Sequence, residues 1–117
     1  MIGQTQLTSP EFDWQQLRQL AGDDRAFEYE LLEIFVQDAQ QSLAKLENAI
    51  ATRSIQAIQD TAHSLKGASA NVGASALSLA ARQLEQITRS EELAKAPMLL
   101  QQIRTHCSRI QRYIQTK

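Results

Sequence analysis

Cysteine, proline and aromatic rings are scarce in this chain of 117 residues, which has one Cys, two Pro and only 5% Phe, Trp and Tyr combined. A single thiol, Cys107, excludes an internal disulfide and fits a reducing cytoplasm. Excess charge of either sign is also missing, with 12 basic against 13 acidic residues and a net charge of −1. No cluster of Lys or Arg is interleaved with aromatics, so nucleic acid is not an expected partner. The series Arg104, Arg109, Arg112 and Lys117 reads as a solvated helix face near the negative end of a helix macrodipole. No apolar run approaches the roughly 18 residues of a membrane span. Met1 to Ser9 has neither the basic nor the apolar region of a signal peptide. The expectation is therefore a soluble cytoplasmic chain with no membrane contact, free-standing or cut from a larger cytoplasmic protein.

What is present is helix-forming. Gln, Ala, Leu and Ser dominate, which favours helices over strands. Residues 1–9 are polar and aperiodic and are expected to be a flexible N-terminus, with one domain over 10–117. Asp13 reads as an N-cap with Gln16 at N3, and Phe12 and Leu17 as a hydrophobic staple. That short helix should end at Gly22 and close one end of the core with Trp14, Leu17 and Leu20. Asp23 or Asp24 then caps a long helix to about residue 51, with its stripe at Phe27, Leu31, Ile34, Phe35, Ala39, Leu43, Leu46 and Ile50. Thr52 and Arg53 connect to a helix capped by Ser54 and ended by Gly73, whose apolar side is Ile55, Ile58, Ala62, Leu65, Ser69 and Val72. A fourth helix from about Ala74 or Ser75 buries Leu77, Ala80, Ala81, Leu84 and Ile87 before a break at Ser90-Glu91-Glu92. Residues 90–96 are expected to be mostly connection, with Pro97 at the first position of a last helix to about 115 that buries Leu100, Ile103, Cys107, Ile110 and Ile114. Four long helices with short connections imply an all-α, antiparallel up-down-up-down four-helix bundle with a short N-terminal helix.

The third helix carries the candidate chemistry. At ~100° per residue, His63 lies ~120° from the centre of the apolar stripe and so faces solvent. Gln56, Gln59, Asp60, Lys66, Gly67 and Ala70 share its side. Neutral imidazole offers a nucleophilic nitrogen near neutral pH, Lys66 one turn on can attract an anionic group, and Gly67 leaves a gap beside the ring. A mid-helix Gly costs roughly 1 kcal/mol against Ala, so its place next to a titratable ring calls for a reason. Asp60 reads as a solvated surface acid, although a carboxylate there could also orient the ring. His106 and Cys107 are adjacent, therefore face different ways, and make no metal site. No Gly-rich phosphate loop and no carboxylate cluster suited to Mg²⁺ occurs, so no motif here binds ATP or activates a phosphoryl donor.

The run Ala62-His63-Ser64-Leu65-Lys66-Gly67-Ala68-Ser69-Ala70-Asn71-Val72-Gly73-Ala74, followed by Leu77, Ala80 and Leu84-Glu85, strongly resembles the histidine phosphotransfer (HPt) domain family. Asp13-Trp14 and Leu31-Leu32 to Phe35 extend the likeness over nearly the whole chain. The resemblance implies a monomeric bundle that carries a phosphoryl group between receiver-domain aspartates in a two-component phosphorelay. It also implies response-regulator receivers or a hybrid histidine kinase as partners. His63 matches the phosphoacceptor, Lys66 the phosphate-stabilising lysine and Gly67 the residue that leaves room. Gln56, Gln59, Ser64 and Ala70 would then surround the point of transfer, with the receiver docked over the third helix and part of the second. The chain itself would hold no cofactor or metal, the Mg²⁺ would sit on the receiver, and the chain would be a carrier rather than an enzyme. Some members have a Gln where this chain has Glu85, a position not assigned to phosphate contact because an acid there repels phosphate unless it turns away or orients the imidazole. Two alternatives stand beside this reading. One is a helical adaptor that binds a receiver or kinase domain without being phosphorylated. The other, a dimerisation helix of a sensor kinase, is disfavoured by Ser64 in place of an acidic residue and by the lack of a following ATP-binding domain.

Overall fold

The computed structural model describes residues 12–90 and 92–115, so the segment 1–9 and Lys117 lie outside the described residues. Among the described residues five α-helices follow in order: α1 (Trp14–Ala21), α2 (Arg25–Ala51), α3 (Ile55–Asn71), α4 (Ser75–Arg89) and α5 (Ala96–Gln115), with a 3₁₀ turn at Leu93–Lys95 before the last. The α2 to α5 helices pack as neighbours in cyclic order, α2 on α3, α3 on α4, α4 on α5 and α5 back on α2. This is the expected antiparallel four-helix bundle. With 27 residues, α2 is about 40 Å long at 1.5 Å per residue and runs the length of a molecule whose longest extent is 42 Å.

Local chemistry sets the helix ends. Asp13 Oδ1 accepts from the Gln16 amide at 3.1 Å, and Asp24 Oδ1 accepts from the Phe27 amide at 3.1 Å, which settles the choice between Asp23 and Asp24. Gly22 ends α1 in the left-handed conformation. Ser54 occupies the N-cap of α3 but makes no side-chain capping bond, contrary to its reading as a cap. The last helix starts at Ala96, one residue before Pro97, and the connection to it contains the 3₁₀ turn that periodicity did not reveal.

Gly73 is fixed twice over. Its φ is +74°, and an added Cβ would stand 2.7 Å from the Asp13 carbonyl oxygen. The Asp13 amide donates to the Gly73 carbonyl at 2.6 Å, and the Gln16 side chain donates to the Ala70 carbonyl. The start of α1 is thereby fastened to the far end of α3, with Phe12 and Leu17 both buried as the staple requires.

Leu17, Leu32, Leu46, Ile58, Leu77, Leu84, Ile103 and Ile110 are the large side chains fully removed from water. The stripes of α3, α4 and α5 fall where periodicity puts them, except that Ile55 is exposed at the first position of α3. In the first half of α2 they do not. Phe27 is 43% and Ile34 59% exposed, while the inward positions are Glu28, Leu32, Phe35 and Val36. The apolar set Phe27, Leu31 and Ile34 forms a second stripe about one residue out of phase, and Glu28 occupies a slot that hydrophobicity alone gives to its neighbour. Glu28 is accommodated because the Tyr113 hydroxyl donates to its Oε2 at 3.3 Å, beside Tyr29 stacked on Tyr113 with centroids 5.6 Å apart. Burial first, then a hydrogen bond with Tyr29, and last the nearby Glu28 push the Tyr113 phenol above its ordinary range. Leu20, expected in the core, is also exposed, and the Trp14 side chain lies outside the described residues.

Candidate functional site

His63 stands near the middle of α3 with its side chain 67% exposed. The ring is nevertheless anchored. Its Nδ1 lies 2.8 Å from Oε2 of Glu85 on α4, while Oε1 of the same carboxylate accepts from the Lys66 ammonium at 2.8 Å. Glu85 itself is only 6% exposed. Arg89, one turn further along α4, brings Nη2 to 3.6 Å from Glu85 Oε2. One buried carboxylate thus faces two permanent cations and one imidazole. The hydrogen bond from Lys66 leads in holding the Glu85 carboxyl below its usual range, with His63 adding to it and burial opposing.

Small residues make this reach possible. Ala62 and Ser69 on α3 and Ala80 and Ala81 on α4 are all buried, which lets the two backbones come close enough for a glutamate to span them. Ser78 adds a tie between the helices, its hydroxyl donating to the Lys66 carbonyl at 3.1 Å. The nitrogen left toward solvent is Nε2, as a ring held at Nδ1 requires.

Gly67 is exposed, and nothing lies within 4 Å of where its Cβ would be. An open groove of about 590 Å³ begins there, lined by Lys66, Gly67 and Ala70 of α3, Ser75, Leu79 and Arg82 of α4, and Gln16 of α1. Its position between α3 and α4 differs from a surface confined to the third and second helices. Of the other residues singled out, Asp60 accepts at Oδ1 from Gln56 at 2.8 Å, and the carboxylate bonded to the ring is that of Glu85. Gln59 is half-buried and Ser64 is exposed. At ~100° per residue, Ser64 turns toward the α2 flank while His63 turns toward α4.

The Hpt domain family model matches residues 30–113. The crystal structure of histidine-containing phosphotransfer protein B (HptB) from Pseudomonas aeruginosa superposes with a TM-score of 0.86 and 31% identity, covering 93% of this chain and 95% of that one. The chain belongs to the Hpt domain family. A rice protein described as a histidine-containing phosphotransfer protein shares the fold, with a TM-score of 0.83 at 23% identity over 98% of this chain and 84% of the rice chain. No curated protein sequence matches. Histidine phosphotransfer in a two-component phosphorelay is therefore the function of this Hpt domain, and its family works with receiver domains and histidine kinases. Among the described residues no helix is long and apolar enough to cross a membrane.

Periodicity did not supply the role of Glu85; of the two readings left open for an acid at this position, turning away or orienting the imidazole, its 2.8 Å contact with His63 Nδ1 fits the second. A signal exists in retrospect: it follows Leu84 at the border of the apolar stripe of α4, where an unpaired acid would be costly. Lys66 and His63 are that missing pairing.

Proposed function

We propose that His63 is the residue that carries the phosphoryl group between receiver-domain aspartates. The observation that carries this is a ring exposed to solvent yet fixed at Nδ1, which leaves Nε2 aimed outward as a nucleophile. Lys66 supplies a cation beside it, and Gly67 supplies room for the receiver's acidic pocket. Each partner must reach the same nitrogen in line with the phosphorus. Mg²⁺ belongs to the receiver on this reading, because the carboxylate beside His63 is already taken up by Lys66, Arg89 and the ring. The domain is then a carrier whose transfers are catalysed by its partners, a monomer spanning residues 10–117 and working in the cytoplasm.

The receiver covers Gln56, Gln59, Ser64, Gly67 and Ala70 and reaches two flanking features. One is the groove between α3 and α4. The other is the α2 stripe of exposed Phe27 and Ile34 with half-buried Leu31, which lies roughly opposite the Gln40 and Glu47 flank that bonds α5 and so on the α3 side. Apolar residues rimmed by polar ones suit a transient interface.

Incubation with a phosphorylated receiver tests the reading. Label is expected on the wild type and lost in His63→Gln with helicity intact. A His63→Ala variant that retains binding and leaves signalling unchanged would instead establish an adaptor.

A further inference from the structure

We infer that Arg82 of α4 is a specificity-determining residue of the relay, admitting receivers that set an acidic side chain against it and rejecting those that do not. The inference rests on His63 being the carrier and on the receiver covering Gly67, and concerns which receivers can dock. Arg82 is exposed and lines the same groove as Lys66 and Gly67. Two bonds between the helices set its level, Ser78 to the Lys66 carbonyl and Glu85 to the His63 ring. The α4 residues between them, Arg82 included, therefore run beside residues 63–66 of α3. A partner seated over that turn meets the guanidinium.

What sets Arg82 apart within the groove is the lack of a counter-ion. The groove is lined by no Asp or Glu, and its other cation, Lys66, is held by Glu85 at 2.8 Å. The only acid three or four residues from Arg82 on its own helix is again Glu85, whose carboxylate already faces Lys66, the His63 ring and Arg89. Among the described residues Arg82 takes part in no hydrogen bond or ion pair.

Solvent satisfies an exposed guanidinium, and a docked receiver removes that solvent. A charge covered without a partner is costly, so the receiver has to supply the missing anion. A carboxylate fits best, because it can accept two parallel N–H bonds from the planar fork. A neutral side chain leaves the charge unpaired, and a Lys or Arg adds repulsion. Leu79, one turn back on the same side of α4, is 54% exposed, so the surface that fits is an acid flanked by an apolar residue. Since the penalty falls only on mismatched partners, Arg82 works chiefly by exclusion.

Initial rates of transfer to His63 from a panel of purified phosphorylated receivers test this in wild type, Arg82→Gln, Arg82→Lys and Arg82→Glu, with phosphoramidate as a donor that has no protein surface. Receivers that transfer best to wild type should lose about 10-fold or more in kcat/KM with Arg82→Gln, mostly as a rise in KM, and more with Arg82→Glu. Receivers that transfer poorly should gain with Arg82→Gln, because they no longer cover a lone cation, so the spread across the panel narrows. Arg82→Lys should keep the order of preference with weaker discrimination. Direct labelling by phosphoramidate should fall far less than transfer from the preferred receivers. A uniform change across the panel, or none with Arg82→Glu, overturns the inference. So does an equal fall with phosphoramidate, which would put Arg82 at the phosphoryl group rather than on the partner. Absence of label on wild-type His63 from every receiver and from phosphoramidate defeats the carrier reading instead.

Discussion

A methyl group at position 67 would separate two demands on one helix. Gly67→Ala meets nothing within the chain and replaces an exposed mid-helix glycine, so it should raise stability by about 0.5–1 kcal/mol in chemical denaturation. On the proposed docking the same methyl occupies space the receiver needs, and phosphotransfer should slow. A variant that is more stable yet transfers as fast would show that the glycine has no role in access. Glu85 makes the opposite demand, with pH as the variable. Its folded carboxyl titrates below the ordinary value of 4.5, so the stability it contributes is fully present above that value and is lost as pH falls through the lowered one. Denaturation midpoints measured from pH 6 downward should therefore fall more steeply in wild type than in Glu85→Gln.

Among the elements, α2 and the fastening of α1 carry the sharpest contrasts. Phe27 and Ile34 are exposed whereas Leu32 is fully buried, so Ile34→Ser should change stability by no more than about 0.5 kcal/mol and Leu32→Ala should cost about 2–5 kcal/mol. Receiver affinity is expected to fall in Ile34→Ser. Gly73→Ala forces a side chain into the left-handed region and against the Asp13 carbonyl, and should cost at least about 1 kcal/mol while speeding hydrogen exchange at the Asp13 amide. These elements also mark where sequence reading stops. The bounds of α3, its stripe and the outward turn of His63 all follow from spacing, because only one apolar phase runs through that helix. In α2 two phases compete, and the winner depends on Tyr113 arriving from the far end of the chain to satisfy Glu28. Glu85 was legible only as a choice between turning away and orienting the imidazole, because the answer depends on two side chains of another helix, which periodicity within α4 does not contain.

For the whole molecule, the closed cyclic packing of α2 to α5 leaves His63 on the outer wall at mid-length rather than at an end or in a cleft. A bundle built this way needs no second copy to complete the site, and sedimentation of the purified chain should give a monomer at concentrations where transfer is measured. A stable dimer would revive the dimerisation-helix reading. One anchored ring on one face has a kinetic corollary. A donor and an acceptor that both cover Gly67 exclude each other, so the relay must run as a double displacement, with the first partner gone before the second docks. Initial rates at several acceptor levels should give parallel double-reciprocal lines, and surplus unphosphorylated acceptor should inhibit by occupying the domain while it is still empty-handed.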